Sequence, residues 1–158
     1  MARTCTYLRA FFLAYAVCFA VQAMGGYFTA QAVGEWYRTL HRSPLNPPGY
    51  VFGVMWTLLY FLMAVAAARL VGVQGRAARR PLRWWSIQLL LGLLWTMVFF
   101  GQHNIGFGMA LLATGWGAVL VSVRLFWRAD RLAGALMLPL LAWVSFACYL
   151  NFFIWQHN

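Results

Sequence analysis

Apolar residues fill this chain in five long runs, and the polar residues collect in the gaps between them. Each run is about 20 residues or more, the length a helix needs to cross a bilayer core of about 30 Å. None shows the alternation of a barrel strand, and only helices or closed barrels satisfy backbone polar groups in lipid. The pattern therefore predicts an all-α integral membrane bundle of five transmembrane helices in one domain, 1–158. The helices are expected over about 7–33, 48–73, 82–101, 106–126 and 132–155, with a connector at 34–47 that closes any cavity as a lid.

Within the runs, residue types repeat along faces. Gly49, Phe52, Trp56, Tyr60, Met63 and Ala67 recur at spacings of three and four, so they share one side of the second helix. Gln88, Gly92, Trp95 and Phe99 do the same in the third, and Trp143, Ala147 and Asn151 step by four in the fifth. In the fourth, Gly106, Ala110, Thr114, Ala118 and Ser122 form a small-residue ladder, beside the pair Ala113 and Gly117. The ladder fits close helix packing inside the bundle or at a dimer interface equally well. Pro139 is interior to the fifth run and is expected to kink it. Gly25-Gly26 marks a close approach or bend in the first run. That run starts like a signal peptide, with Arg3 and Arg9 before it and Ala30-Gln31-Ala32 near its end. Its apolar stretch is nearly twice the usual length, so it reads as a retained helix.

Composition agrees. Of 158 residues, 64% are hydrophobic and 9% charged, with mean hydropathy +0.71. The net charge of +10 comes from twelve basic residues, all arginine, placed at helix ends. That argues for topology and anionic headgroups rather than nucleic acid. Arg3, Arg9, Arg69, Arg76, Arg79, Arg80, Arg83, Arg124, Arg128 and Arg131 fall on one side of the five spans. Only Arg38 and Arg42 fall on the other. The positive-inside rule then predicts the N-terminus in, the C-terminus out, and a bacterial cytoplasmic membrane in preference to an outer membrane.

Little conventional chemistry is available. Glu35 and Asp130 both lie in loops, which speaks against a proton-coupled antiporter with a carboxylate in a span. His41, His103 and His157 have no metal-site spacing, and Cys5, Cys18 and Cys148 have neither metal nor redox spacing. No metal site is expected and no cofactor is required. What remains is aromatic: nine Trp, seven Tyr and thirteen Phe. Trp56, Trp95 and Trp143 sit away from the interfacial belts where Trp usually lies. With Tyr60, Phe99 and Asn151 they either line a pocket for a flat apolar ligand or simply pack together.

The residues Trp36-Tyr37, Leu40, Pro47-Pro48, Val51-Phe52, Trp56, Leu59-Tyr60, Met63, Gln88-Leu89, Trp95, Phe99-Phe100-Gly101, Pro139, Trp143, Phe146-Ala147, Leu150-Asn151 and Asn158 together resemble the TspO/translocator-protein family. This family is also called tryptophan-rich sensory proteins or peripheral-type benzodiazepine receptors. The resemblance implies a five-helix bundle, commonly a homodimer. It also implies a cavity that binds protoporphyrin IX, haem, sterols or benzodiazepine-type ligands, in a sensory, regulatory or transport role. The ligand-binding positions it implies are Trp36, Tyr37, Pro47, Pro48, Phe52, Trp56, Tyr60, Gln88, Trp95, Phe99, Trp143, Ala147, Leu150 and Asn151. Some bacterial members of the family degrade porphyrin oxidatively in light, which would make Trp56 and Trp143 catalytic here. The chain departs from the family at Gly92, where Asn is usual, and at Arg42-Ser43, where Lys-Pro is usual. Asn46 and Gly49 replace connector histidines of animal members. No basic residue follows Tyr149, so the sterol pattern is absent.

Overall fold

The computed structural model describes the backbone of residues 2–158 and the side chains of 5–73 and 76–158. The side chain of Arg3, counted above for topology, lies outside the described residues. The elements are α1 (Ala2–Val33), the single turn α2 (Trp36–Thr39), α3 (Gly49–Gln74), α4 (Arg79–Thr96), α5 (Ile105–Ala129) and α6 (Arg131–His157). A 3₁₀ turn (Gly75–Ala78) precedes α4, and a π turn (Met97–Gly101) extends it. Five of these helices are long and apolar enough to cross a membrane. The chain is a multi-pass membrane protein.

The helices run further than their apolar cores. The turn expected over Trp127–Arg131 shrinks to Asp130 alone. Its carboxylate accepts from the Ala133 amide at 2.8 Å, capping α6, and takes a two-pronged bond from Arg69 at 2.7 and 3.0 Å. Gly134 makes this tight reversal possible, because a Cβ there would lie 2.5–2.7 Å from the Trp127 backbone. Helix α6 continues through Pro139. Asn104 caps α5 by accepting from the Phe107 amide at 3.0 Å.

Packing contacts set the order of helices around the bundle. Helix α3 packs between α1 and α6, α5 packs between α6 and α4, and α4 with its π turn closes on α1. The core lies toward the arginine-rich end, where Met63, Leu70, Phe126 and Met137 are fully buried. Toward the connector end the helices part around a cavity.

The fourth-helix ladder does not form one face. Gly106, Ala110 and Thr114 are exposed, whereas Ala118 and Ser122 are buried. Each four-residue step overshoots a helical turn by ~40°, so the ends of the ladder point to nearly opposite sides. Its lower half packs within the bundle and its upper half faces outward.

Candidate functional site

The cavity has a volume of about 1090 Å³, and the connector lines one end of it. Its side walls come from Val21, Gln22, Gly25, Gly26 and Thr29 of α1, and from Gly49, Phe52, Trp56, Tyr60 and Met63 of α3. Opposite stand Gln88, Gly92, Trp95 and Thr96 of α4 and Phe99 and Phe100 of its π turn, with Leu112, Gly115 and Val119 of α5. Leu140, Val144, Ala147, Leu150, Asn151 and Ile154 of α6 complete the ring. Small residues on α1 leave room: a Cβ on Gly25 would already touch Thr96 at 3.6 Å.

Aromatic geometry shapes this interior. Trp56 stacks on Tyr60 with ring centroids 5.6 Å apart, and Trp95 stacks on Phe99 at 5.7 Å. The π turn, in which the Gln102 amide donates five residues back to Met97, carries Phe99 and Phe100 at the cavity wall. Its exit passes through His103 at φ 56°, the left-handed region.

The connector covers the mouth and is tied down. The Tyr37 hydroxyl donates to Asn46 Oδ1 at 2.9 Å, and the Arg42 guanidinium lies 5.3 Å over the Tyr37 ring. Burial pushes the Tyr37 hydroxyl above its usual range, partly offset by Arg42, so it stays a neutral donor. Ser43 shares a 3.0 Å hydrogen bond with Tyr149 of α6. Asn158 accepts from the His41 amide at 2.9 Å and donates to the His41 carbonyl at 3.1 Å. Arg38, His41 and Arg42 all line the mouth. Among the described residues no three His, Cys, Asp or Glu side chains cluster to hold a metal.

The expected residues are placed unequally. Tyr37, Pro47, Pro48, Phe52, Trp56, Tyr60, Gln88, Trp95, Phe99, Ala147, Leu150 and Asn151 all line the cavity. Trp36 and Trp143 do not. Trp36 lies between Phe99, at 5.4 Å, and His103, at 4.3 Å, and supports the wall from behind. Trp143 packs behind Phe52 at 5.7 Å. The inward stripe of α6 steps by four and three through Leu140, Val144, Ala147, Asn151 and Ile154. A strict step of four drifts off that face before it reaches Trp143. Sequence reasoning missed the α1 wall, where only Gly25-Gly26 gave a signal, and the Asn158 clasp.

Several polar atoms in and near the wall have no partner. Trp95 Nε1 donates to Asn151 Oδ1 at 3.0 Å, which leaves Asn151 Nδ2 unpaired, and both amide atoms of Gln88 are unpaired.

The profile of the TspO/MBR family matches residues 14–156. Protein CrtK of Rhodobacter capsulatus is 35% identical over 153 residues, covering 96% of this chain and 94% of its own. The tryptophan-rich sensory protein of Cereibacter sphaeroides is 38% identical over 118 residues, 75% of this chain and 73% of its own. The translocator protein of Bos taurus is 32% identical over 144 residues, 86% of this chain and 85% of its own.

Proposed function

The chain belongs to the TspO/MBR family, and from that premise we propose that its cavity binds a flat, carboxylate-bearing tetrapyrrole such as protoporphyrin IX or haem. The observation that carries this reading is a basic mouth over an aromatic interior. Arg38 and Arg42 stand at the rim, and Trp56, Tyr60, Trp95 and Phe99 lie below them. Guanidinium forks suit the propionates, and the indole and phenyl faces suit the macrocycle. The role is sensory or translocating, the arginine-rich end faces the cytoplasm of a bacterial cell, and a second copy of the chain is the natural partner.

Titration with protoporphyrin IX in the dark, followed by tryptophan fluorescence, tests this. Saturable quenching is expected, and Arg38→Gln with Arg42→Gln should weaken it about tenfold while sparing a neutral ligand. Equal losses for both ligands would remove the carboxylate pairing. Absence of saturable quenching would remove the tetrapyrrole.

A second reading is light- and oxygen-dependent oxidation of the bound porphyrin. The Trp56 indole stacked on the Tyr60 phenol at the cavity wall favours it. Illumination should then give a new absorbing product that Trp56→Phe suppresses. Product formed equally without Trp56 and Trp143 would exclude the tryptophan route.

A further inference from the structure

The seam between α1 and α3 is sealed unevenly along its length. Toward the arginine-rich end, rings fill it: Phe61 of α3 meets Phe11 and Tyr15 of α1 edge-on, with centroids 5.8 and 6.4 Å apart. One turn nearer the connector the seal is a single hydrogen bond. Gln22 Nε2 donates to the Thr57 hydroxyl at 2.8 Å, and that hydroxyl donates to the Gly53 carbonyl at 2.9 Å. The two helices run in opposite directions, so Gly26 and Gly53, each four residues further toward the connector, stand about level with each other. A Cβ on either would meet nothing within 4 Å, so the facing helix does not close on these glycines.

This weak stretch separates two spaces. Gln22, Gly26 and Gly53 line the cavity. Gly53 also borders a groove on the outer surface, with Tyr15 of α1 and Val54, Thr57, Leu58 and Phe61 of α3. Val54 is 65% exposed within an apolar span, so the groove faces lipid. Gly53 and Thr57 lie about 6 and 12 Å along α3 from its start, at 1.5 Å per residue, which is the depth of one leaflet rather than of the aqueous surface. The connector, in contrast, is tied to α6 through Ser43 and Tyr149 and through His41 and Asn158. A flat apolar molecule concentrates in the bilayer, so its shortest way into the cavity is sideways.

We infer that the seam at Gly26 and Gly53 is a lateral portal, through which an apolar ligand dissolved in the bilayer reaches the cavity, with the Gln22–Thr57 bond as its latch. It rests on the reading of this cavity as a ligand site. Hydrogen bonds between membrane helices are weak on average, so the latch opens without unfolding the bundle. The glycines beside it have no side chains to move aside.

The test uses Nile red, a neutral dye that partitions into lipid, and the full-length protein in phosphatidylcholine nanodiscs. Stopped-flow energy transfer from tryptophan to the dye gives association and dissociation rates, and protoporphyrin IX is titrated on the same samples. A portal lies on the path and not in either end state, so both rates change by one factor and the dissociation constant stays put. Gly53→Leu, which places a side chain in the open seam, should slow both about tenfold. Thr57→Val, of the same shape but without the hydroxyl, should quicken both about threefold. Unchanged rates in the two variants overturn the portal. So does a weaker affinity at an unchanged association rate, which would make Gly53 a ligand contact, and so does a lack of saturable dye binding. Saturable porphyrin binding with unchanged dye rates overturns the portal alone. Paired rate changes without porphyrin binding uphold it and remove the tetrapyrrole.

Discussion

The Trp95 indole and the Asn151 carboxamide form a 3.0 Å hydrogen bond that joins α4 to α6 in the cavity wall. Trp95→Phe leaves the Asn151 amide wholly unpaired, whereas Trp95→Phe with Asn151→Leu removes both polar groups. The single change should cost about 1–3 kcal/mol and the double change less than the sum of the two single ones. Thermal denaturation in detergent for all four members of the cycle measures this. Strict additivity would show that the bond contributes nothing.

The connector should be released by Asn158→Ala. Asn158 makes two hydrogen bonds to the His41 backbone and one, at 2.8 Å, to the Ile154 carbonyl. These bonds are largely solvent-exposed, so global stability should barely move. Ligand dissociation should quicken by about three- to tenfold, read by stopped-flow displacement. An unchanged off-rate would mean that the connector does not control exit.

Asp130 predicts a pH dependence. The hydrogen bonds from Arg69 hold its carboxyl below the ordinary carboxylate range, against the opposing effect of burial. A depressed folded value means that the stabilisation is fully present above about pH 4. It is lost as pH falls through the lower folded value. Arg69 is 37% exposed, so screening reduces the contribution to about 1 kcal/mol or less. Asp130→Asn should lower the melting temperature at pH 7 and flatten its fall between pH 5 and 3. An equally steep fall in the variant would place the acid sensitivity elsewhere.

Gly134→Ala tests the reversal between α5 and α6. The new methyl would collide with the Trp127 backbone rather than with a side chain that can swing away. A loss of about 1–3 kcal/mol is expected, since overpacking forces the backbone to shift. The change Gly117→Ala, where nothing lies within 4 Å, serves as the control and should be neutral. Equal melting temperatures for the two variants would refute the close approach.

Much of this architecture can be read in the chain. The five spans follow from run length alone, because a bilayer leaves the backbone no choice but to bond to itself. The cavity faces of α3 and α4 were legible too. Phe52, Trp56, Tyr60 and Met63, and likewise Gln88, Gly92, Trp95 and Phe99, keep a mixed three-and-four spacing that follows a helix face. The fixed four-residue steps misled, both at Trp143 and along the ladder from Gly106 to Ser122, since such steps drift around the helix.

Sequence by itself therefore determined that the chain crosses a membrane in five helices, and which side of α3 and α4 is rich in aromatic and polar groups. It also carried the family pattern. Tertiary structure alone decided that α1 closes the ring with its glycines, that Asn158 clasps His41, and that Trp95 reaches Asn151 while both amide atoms of Gln88 are left unpaired. The division has a physical cause. Membrane insertion is set by local apolar length, a one-dimensional property. Whether a buried amide finds a partner depends on which residues of distant helices arrive within 3 Å of it, and only the packed bundle settles that.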